Sequence, residues 1–419
     1  MSDLASTKSN SVSRWLQTIS TYDFCPEFSA KVRRFLYHPF GVLMLAALAA
    51  LACGLFLHAQ GFILCGGILA VILLGVIWPW LAMRGVVAHL AFDRQRTSES
   101  DAVEVRLTLH NRLPWSAWGI AVRDGFGDDQ PVAGIASAPR RRTALCRWTF
   151  QPLRRGVYPL ITPRITTGFP FGLWDNARSV TVDTPLIVWP MTLPVGPVPM
   201  VSGNRQVEGN VSRNKVGSNG DVLGVRPYRR GDSPRRIHWA QSARHDRLIV
   251  CELQSNARPV IQLVLDADSR SHVTNDSREW AIRIVASLAK GWLQSGAMIG
   301  VTWGDVEFEA SSGLPHLHRI LDALAAIPDQ SNKPLADVLA CPKCRGFRDG
   351  LQVIVTTDIG ITNMDHRSDE QRWIVLQSKA FDDNALSPLI TVQPWLLIDS
   401  IERIPTLLQG GWREAQHGS

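Results

Sequence analysis

Charge is scarce in this chain. Asp, Glu, Lys and Arg make up only 19% of its 419 residues, against 45% hydrophobic residues. That balance is apolar for a wholly soluble protein, and the excess lies near the N-terminus, so the remainder reads as ordinary globular material. Cysteine is sparse as well: Cys25, Cys53, Cys65, Cys146, Cys251, Cys341 and Cys344. An odd number at scattered spacing, two of them in an apolar region, argues against a disulfide framework and for a reducing compartment. No signal-peptide pattern is present, because the apolar run begins late and no small-residue cleavage site follows it. There is no repeat with a solenoid period, no Gly-x-Ser-x-Gly elbow and no recognised DNA- or RNA-binding pattern. The net charge of +7 is modest, and fits a membrane protein whose loops carry orienting positive charge better than a nucleic-acid binder.

What is present divides the chain into five parts. Residues 1–38 are polar and Ser/Thr-rich. Within 39–84, two apolar runs, Phe40–Leu57 and Gly61–Met83, flank His58-Ala59-Gln60. Each run is long enough to cross a hydrocarbon layer of ~30 Å as a helix, and the short break makes them a hairpin. Lys31, Arg33 and Arg34 precede it, Arg84, Arg94 and Arg96 follow it, and the break holds no Lys or Arg. That asymmetry puts both ends in the cytoplasm, with Trp78 and Trp80 at the interface, and the lipid bilayer becomes an expected partner. Residues 85–190 read as β: Val103–His110 alternates over a full strand, and Ile120–Asp124 and Cys146–Phe150 are further short strands. Frequent Gly and Pro between them suggest an antiparallel sandwich of immunoglobulin-like type. Residues 191–219, rich in Pro, Gly, Ser and Asn, read as an exposed linker or mobile loop. Residues 220–419 carry the remaining motifs.

The most specific stretch is Gly220–Gln254, which gathers Arg226, Arg229, Arg230, Arg235, Arg236, Arg244 and Arg247 against Asp221, Asp232 and Asp246. Gly231 and Asp232 open a turn. Asp232 or Ser233 can cap a helix with Pro234 at its first position, and the helix is expected over Pro234–Ala243, followed by a strand at Leu248–Leu253. Arginine forks suit repeated carboxylate pairing, and Trp239 is expected to anchor by burial. Phosphate contact and base stacking by the same arginines with Tyr228 and Trp239 is the weaker alternative. His238, Asp232 and Ser242 also lie close enough to be weighed as a nucleophile–base set, although no oxyanion-hole sequence accompanies them.

Leu223–Arg226, Tyr228–Asp232, Arg236–Trp239 and Ser242–Arg244 resemble the signature of the domain of unknown function 58 family. Upstream, Arg155–Tyr158 and Gly168–Trp174 are similar to that family's preceding β-domain, so the resemblance runs from about Val86 onward. It implies a membrane-anchored bacterial or archaeal protein. The expected partners are a MoxR-type AAA+ ATPase or other von Willebrand factor A-like proteins. It points to a docking or scaffold role at the inner membrane, in assembly or envelope maintenance, rather than to a reaction. The signature residues expected to serve it are Arg226, Tyr228, Arg229, Gly231, Asp232, Arg236, His238, Trp239 and Arg244.

From Val260 the pattern alternates strand and helix: Val260–Leu265, a helix Asp276–Ser295 with Asp276 and Glu279 as a capping pair, Met298–Trp303, an edge strand Val306–Ala310, a helix Leu317–Ile327, and strands at Leu351–Thr357, Trp373–Leu376 and Leu389–Val392. This predicts a mostly parallel sheet with helices on both faces. Its order looks like a von Willebrand factor A domain, which makes the whole chain α+β multidomain. Such domains hold a divalent cation with oxygen ligands at strand ends. Here the matching residues are Asp266, Asp268, Ser269 and Asp358. Arg270 stands where a hydroxyl would be wanted, so two readings stay open: a working Mg²⁺ site, or a degenerate one in which Asp266 and Asp358 pair with arginines. Cys341-Pro342-Lys343-Cys344 has the spacing of half a zinc ribbon without a second pair.

Overall fold

The computed structural model describes residues 38–127, 132–199, 222–229, 232–253, 258–328, 331–341, 344, 350–362, 371–382, 384–385, 388 and 394–410. The chain forms two compact units. One takes in residues up to Thr97, Asp101–Pro152 and Val157–Ile187; the other takes in Ser98–Ser100, Leu153–Gly156 and the chain from Val188 onward.

The first unit begins with helices α1 (Pro39–Phe56) and α2 (Gln60–Met83), both long and apolar enough to cross a membrane. Glycines let them close on each other: a Cβ on Gly61 would stand 2.3 Å from the backbone nitrogen of Gly54. Eight of the described strands lie wholly within this unit: β1 (Val86–Phe92), β2 (Val103–Asn111), β3 (Ala117–Arg123), β4 (Ala133–Ala138), β5 (Thr143–Phe150), β6 (Arg164–Thr167), β7 (Asn176–Ser179) and β8 (Thr181–Val182). They make two four-stranded sheets, β8-β1-β2-β5 and β4-β3-β6-β7, a sandwich-like region that is antiparallel except for the β1–β8 edge pair. The alternation read in β2 is real: Val103, Val105, Leu107 and Leu109 are fully buried and the intervening side chains are not.

The second unit holds a two-stranded antiparallel ladder of β9 (Val222–Pro227) and β10 (Ile249–Leu253), with the short helix α3 (Trp239–His245) between them. Its main body is a six-stranded sheet of β11 (Val260–Leu265), β12 (Met298–Trp303), β13 (Val306–Ser311), β14 (Leu351–Thr357), β15 (Gln371–Leu376) and β16 (Leu396–Ile398), in the order β13-β12-β11-β14-β15-β16. Only the β12–β13 hairpin is antiparallel. Leu263 and Leu265 pack into one core with helix α4 (Asn275–Gln294) and helix α5 (Leu314–Ala325). Val264, Ile354 and Val375 face a second core with Leu335 and Val338. The strands are apolar throughout because both faces are covered. With the first strand central and the fourth beside it, the carboxyl ends of β11 and β14 flank the point where strand order reverses, the usual crevice of such sheets.

Three expectations need correction. Residues 191–199 are not an exposed linker: Leu193, Val195 and Val198 pack on the α4 core, the Leu193 N–H donates to Ser287 Oγ at 2.9 Å, and Gly291 leaves room for Val195. Residues 200–219 of that segment lie outside the described residues. Helix α4 is capped by Thr274, whose hydroxyl accepts the Ser277 N–H at 3.2 Å, not by an Asp276–Glu279 pair. Glu279 is buried on Arg155 instead. The strand expected at Leu389–Val392 lies outside the described residues, and the last described strand is Leu396–Ile398. The helix expected over Pro234–Ala243 is broken at Ile237 and His238.

Candidate functional site

The arginine-rich stretch is a tied motif built on the β9–β10 ladder. The two guanidinium Nη atoms of Arg226 donate to Asp232 at 2.7 and 2.8 Å, and the Arg229 N–H donates to the same carboxylate at 2.8 Å. Asp232 therefore locks the 226–232 bend and caps no helix; Gly231 lies outside the described residues. After a single 3-10 turn at Pro234–Arg236, the chain is extended at Ile237 and His238 and bridges β10 through Ile237 and Val250. Cross-strand pairing wins there over helix propagation. Helix α3 then starts at Trp239 with His238 as its cap: His238 Nδ1 accepts the Gln241 N–H at 3.2 Å. Ser242 is buried and stitches helix to strand, donating to the His238 carbonyl at 3.0 Å and accepting the Ile249 N–H at 2.9 Å.

This arrangement does not join His238, Asp232 and Ser242 into a nucleophile–base set. The Ser242 hydroxyl is held by backbone rather than by the His238 ring, and Asp232 sits in the Arg226 fork. The stretch does present a surface. Trp239 is 67% exposed, which overturns the expectation that it anchors by burial. Arg229, Arg235, Arg244 and Arg247 are exposed and form no ion pair with a described residue. Arg236, His238 and Tyr228 are half-buried.

The paired guanidinium of Arg226, then the Arg229 N–H, hold the Asp232 carboxyl down at about 2. With the folded value below that of the unfolded chain, near 4, the bend is favoured at all pH above about 4 and loses that support as pH falls toward 2. The expected result is an Asp232 carboxyl carbon titrating near 2 by NMR; a midpoint near 4 would mean the pair is not formed.

At the sheet's crevice the four candidate metal ligands are placed together but are otherwise engaged. Asp266, buried, accepts the Thr356 hydroxyl at 2.7 Å and the Asp268 N–H at 3.1 Å. His272 Nε2 meets its carbonyl at 3.0 Å. Burial pushes the Asp266 carboxyl up and the His272 imidazole down. Asp268 is gripped by Arg270 through Nε at 3.1 Å and Nη2 at 2.8 Å; burial opposes its ionisation, yet the guanidinium holds it below the usual carboxylate range. Ser269 donates to Asn332 Oδ1 at 3.2 Å. Asp358 accepts from the Ser378 hydroxyl and from its N–H at 3.1 Å. The arginine pairing expected of Asp266 and Asp358 is thus wrong: their partners are Thr356 and Ser378, and the arginine sits on Asp268.

A Mg²⁺ ion needs six oxygens with charge to spare. Among the described residues no group of three His, Cys, Asp or Glu side chains could hold a metal, and a guanidinium occupies the second aspartate, so these residues do not fit the ion. Of the Cys-x-x-Cys pair, Pro342 and Lys343 lie outside the described residues. Burial pushes the Cys344 thiol up.

Sequence reasoning missed one cluster. Arg155 donates to Glu279 at 2.8 Å and to the carbonyls of Leu324, Ala325 and Ile327 at 2.9, 3.2 and 3.1 Å. Glu99 accepts the Arg155 N–H at 2.8 Å and Arg283 Nε at 2.8 Å. These partners are 56 to 184 residues apart in sequence, and no local pattern announces them.

No curated protein matches the chain. Among solved structures, the solution structure of the CARDB domain of PF1109 from Pyrococcus furiosus is 10% identical over 23% of this chain and 94% of that domain, with a TM-score of 0.17. The crystal structure of the same domain with di-metal ions is 10% identical over 23% of this chain and 86% of the other, TM-score 0.16. The sporulation control protein Spo0M of Bacillus subtilis is 11% identical over 24% of this chain and 50% of its own, TM-score 0.14. Likenesses this slight say nothing of what the chain does. The family comparison is firmer: residues 224–371, which hold the tied arginine motif and the sheet as far as the start of β15, match the family described as protein of unknown function DUF58.

Proposed function

We propose that this protein is a membrane-anchored, non-enzymatic docking component. Helices α1 and α2 span the bacterial inner membrane as a hairpin, both termini and the body lie in the cytoplasm, and the arginine motif engages a MoxR-type AAA+ ATPase in assembly or envelope maintenance. The observation that carries the reading is Trp239, 67% exposed on a motif that Arg226, Asp232 and Ser242 hold rigid. Large exposed aromatics beside arginines are what interface hot spots are made of, and exposed arginines that form no ion pair with a described residue suit an acidic face on the partner. A flexible loop would give up part of its binding free energy on ordering; this motif is already ordered. The strand order and the placement of Asp266 and Asp358 favour a von Willebrand factor A-like sheet, in which the crevice is a hydrogen-bonded structural cluster rather than a cation-dependent contact. No arrangement of His238, Ser242 and Asp232 favours a hydrolase.

The test is the affinity of the purified full chain, in detergent or nanodiscs, for the MoxR-type ATPase of the same organism. Trp239→Ala combined with Arg244→Glu is expected to weaken binding by about 30-fold or more, an interface hot-spot effect of about 2 kcal/mol. The melting temperature should be unchanged, because neither side chain is packed. Undiminished affinity in the folded variant would refute the motif as the docking surface.

A further inference from the structure

The loop Gly168-Phe169-Pro170-Phe171-Gly172-Leu173-Trp174 joins β6 to β7, and its aromatic residues are not core. Phe169, Phe171 and Trp174 are 40%, 47% and 57% exposed, in a loop with a tight internal bond from Gly172 N–H to the Gly168 carbonyl at 2.7 Å. Phe169 lies beside the exposed Trp118, ring centroids 6.3 Å apart. Only Leu173 is buried, and it is buried against α2: a Cβ on Gly75 would come within 2.6 Å of its methyl carbon. Gly75 thus leaves a notch in the helix that the loop fills. Beside it, Val76, Ile77, Trp80, Trp174 and Asn176 line a groove of about 570 Å³.

The depth of that notch is informative. At about 1.5 Å per residue, α1 is about 27 Å long and α2 about 36 Å. A hairpin level at its turn therefore has the last two turns of α2 projecting beyond the start of α1. Gly75 lies about 22 Å along α2, still within the length that α1 spans. A loop seated on Gly75 reaches the level of the acyl-chain boundary. Its surroundings suit that level: Arg84 lies over the Trp80 ring at 5.0 Å, and Arg178 donates to the Val86 carbonyl at 3.2 Å just past the helix end. Aromatic rings and basic side chains at one height are the pattern of a membrane interface.

We propose that Gly168–Trp174 is a second membrane contact, which inserts Phe171 and Trp174 into the headgroup–acyl boundary of the leaflet that α2 leaves, beside the helix. This fixes the height of the first unit's strands on the bilayer, which two helices alone would leave free to swing. The inference rests on the reading of α1 and α2 as membrane-spanning.

The experiment introduces the photo-crosslinker p-benzoylphenylalanine singly at Phe171, Trp174, Leu48 and Val306 in the full chain. Each protein is reconstituted in vesicles of phosphatidylcholine and phosphatidylglycerol, irradiated and examined by mass spectrometry. Leu48 is exposed on α1, and Val306 is exposed in the second unit. The expected result is phospholipid adducts at Leu48, Phe171 and Trp174 above the level at Val306. Adducts at Leu48 with none above that level at Phe171 and Trp174, or protein–protein adducts there instead, would overturn the loop contact and leave the spanning helices intact. No lipid adduct at Leu48 would overturn the spanning reading and the loop contact with it.

Discussion

Arg155→Ala is expected to destabilise the second unit by roughly 3–5 kcal/mol, the usual loss when one partner of a buried ion pair is removed. The side chains of Arg155 and Glu279 are only 3% and 8% exposed. Without the guanidinium, Glu279 keeps a buried charge and its 2.8 Å partner is gone. The carbonyls of Leu324, Ala325 and Ile327 lose their donor at the same time. They lie at or just past the carboxyl end of α5, where the helix dipole is negative and a cation is most useful. Glu99 continues the network through Arg283, with Nε at 2.8 Å, and through the Met191 N–H at 3.2 Å, so the damage spreads to residues 191–199, which pack on the α4 core. Arg155→Lys should recover part of the loss, since one ammonium cannot serve a carboxylate and three carbonyls together. The measurement is denaturant unfolding of the full chain in detergent, with hydrogen exchange of the 314–325 amides as local readout. A loss below about 1 kcal/mol, the range of a solvent-exposed pair, would mean the network is not formed.

What was legible in the sequence was whatever is written in local periodicity. Strands Val260–Leu265, Met298–Trp303 and Leu351–Thr357 match the expected bounds residue for residue, because each is an apolar run closed by a turn or an acid. The two apolar helices are equally plain. The errors share a different cause. Ile237 looks like one face of a helix, but its place is set by Val250 across a ladder. Glu279 has capping spacing from Asp276, yet its partner arrives from 124 residues away. Trp239 has the composition of an anchor, but a seven-residue helix has one inner face, and Ser242 occupies it. At the crevice the acids were found and their partners were not. Arg270 is local to Asp268 and visible in the text; Thr356 and Ser378 reach their aspartates only once the sheet has formed.

Asp358→Ala is the second large effect and decides what that crevice is for. One oxygen of Asp358 accepts the Ser378 hydroxyl and the Ile359 N–H at 3.0 Å, and the other accepts the Ser378 N–H at 3.1 Å. Asp358 and Ser378 are both 1% exposed, so the alanine leaves the serine's donors without water to replace the carboxylate. At 1–3 kcal/mol for each stranded buried group, the expected loss is roughly 3–5 kcal/mol. Asp358→Asn keeps one acceptor oxygen and should lose less. If the carboxylate instead served a resident cation, chelation of the unaltered protein would reproduce the loss, because an ion at a hundred times its Kd contributes about 2.7 kcal/mol. The expected result separates the two: EDTA leaves the unfolding midpoint where it is, and Asp358→Ala lowers it by the same amount with or without Mg²⁺. A midpoint that falls on chelation alone would put a cation on Asp358 and reduce Ser378 to a neighbour.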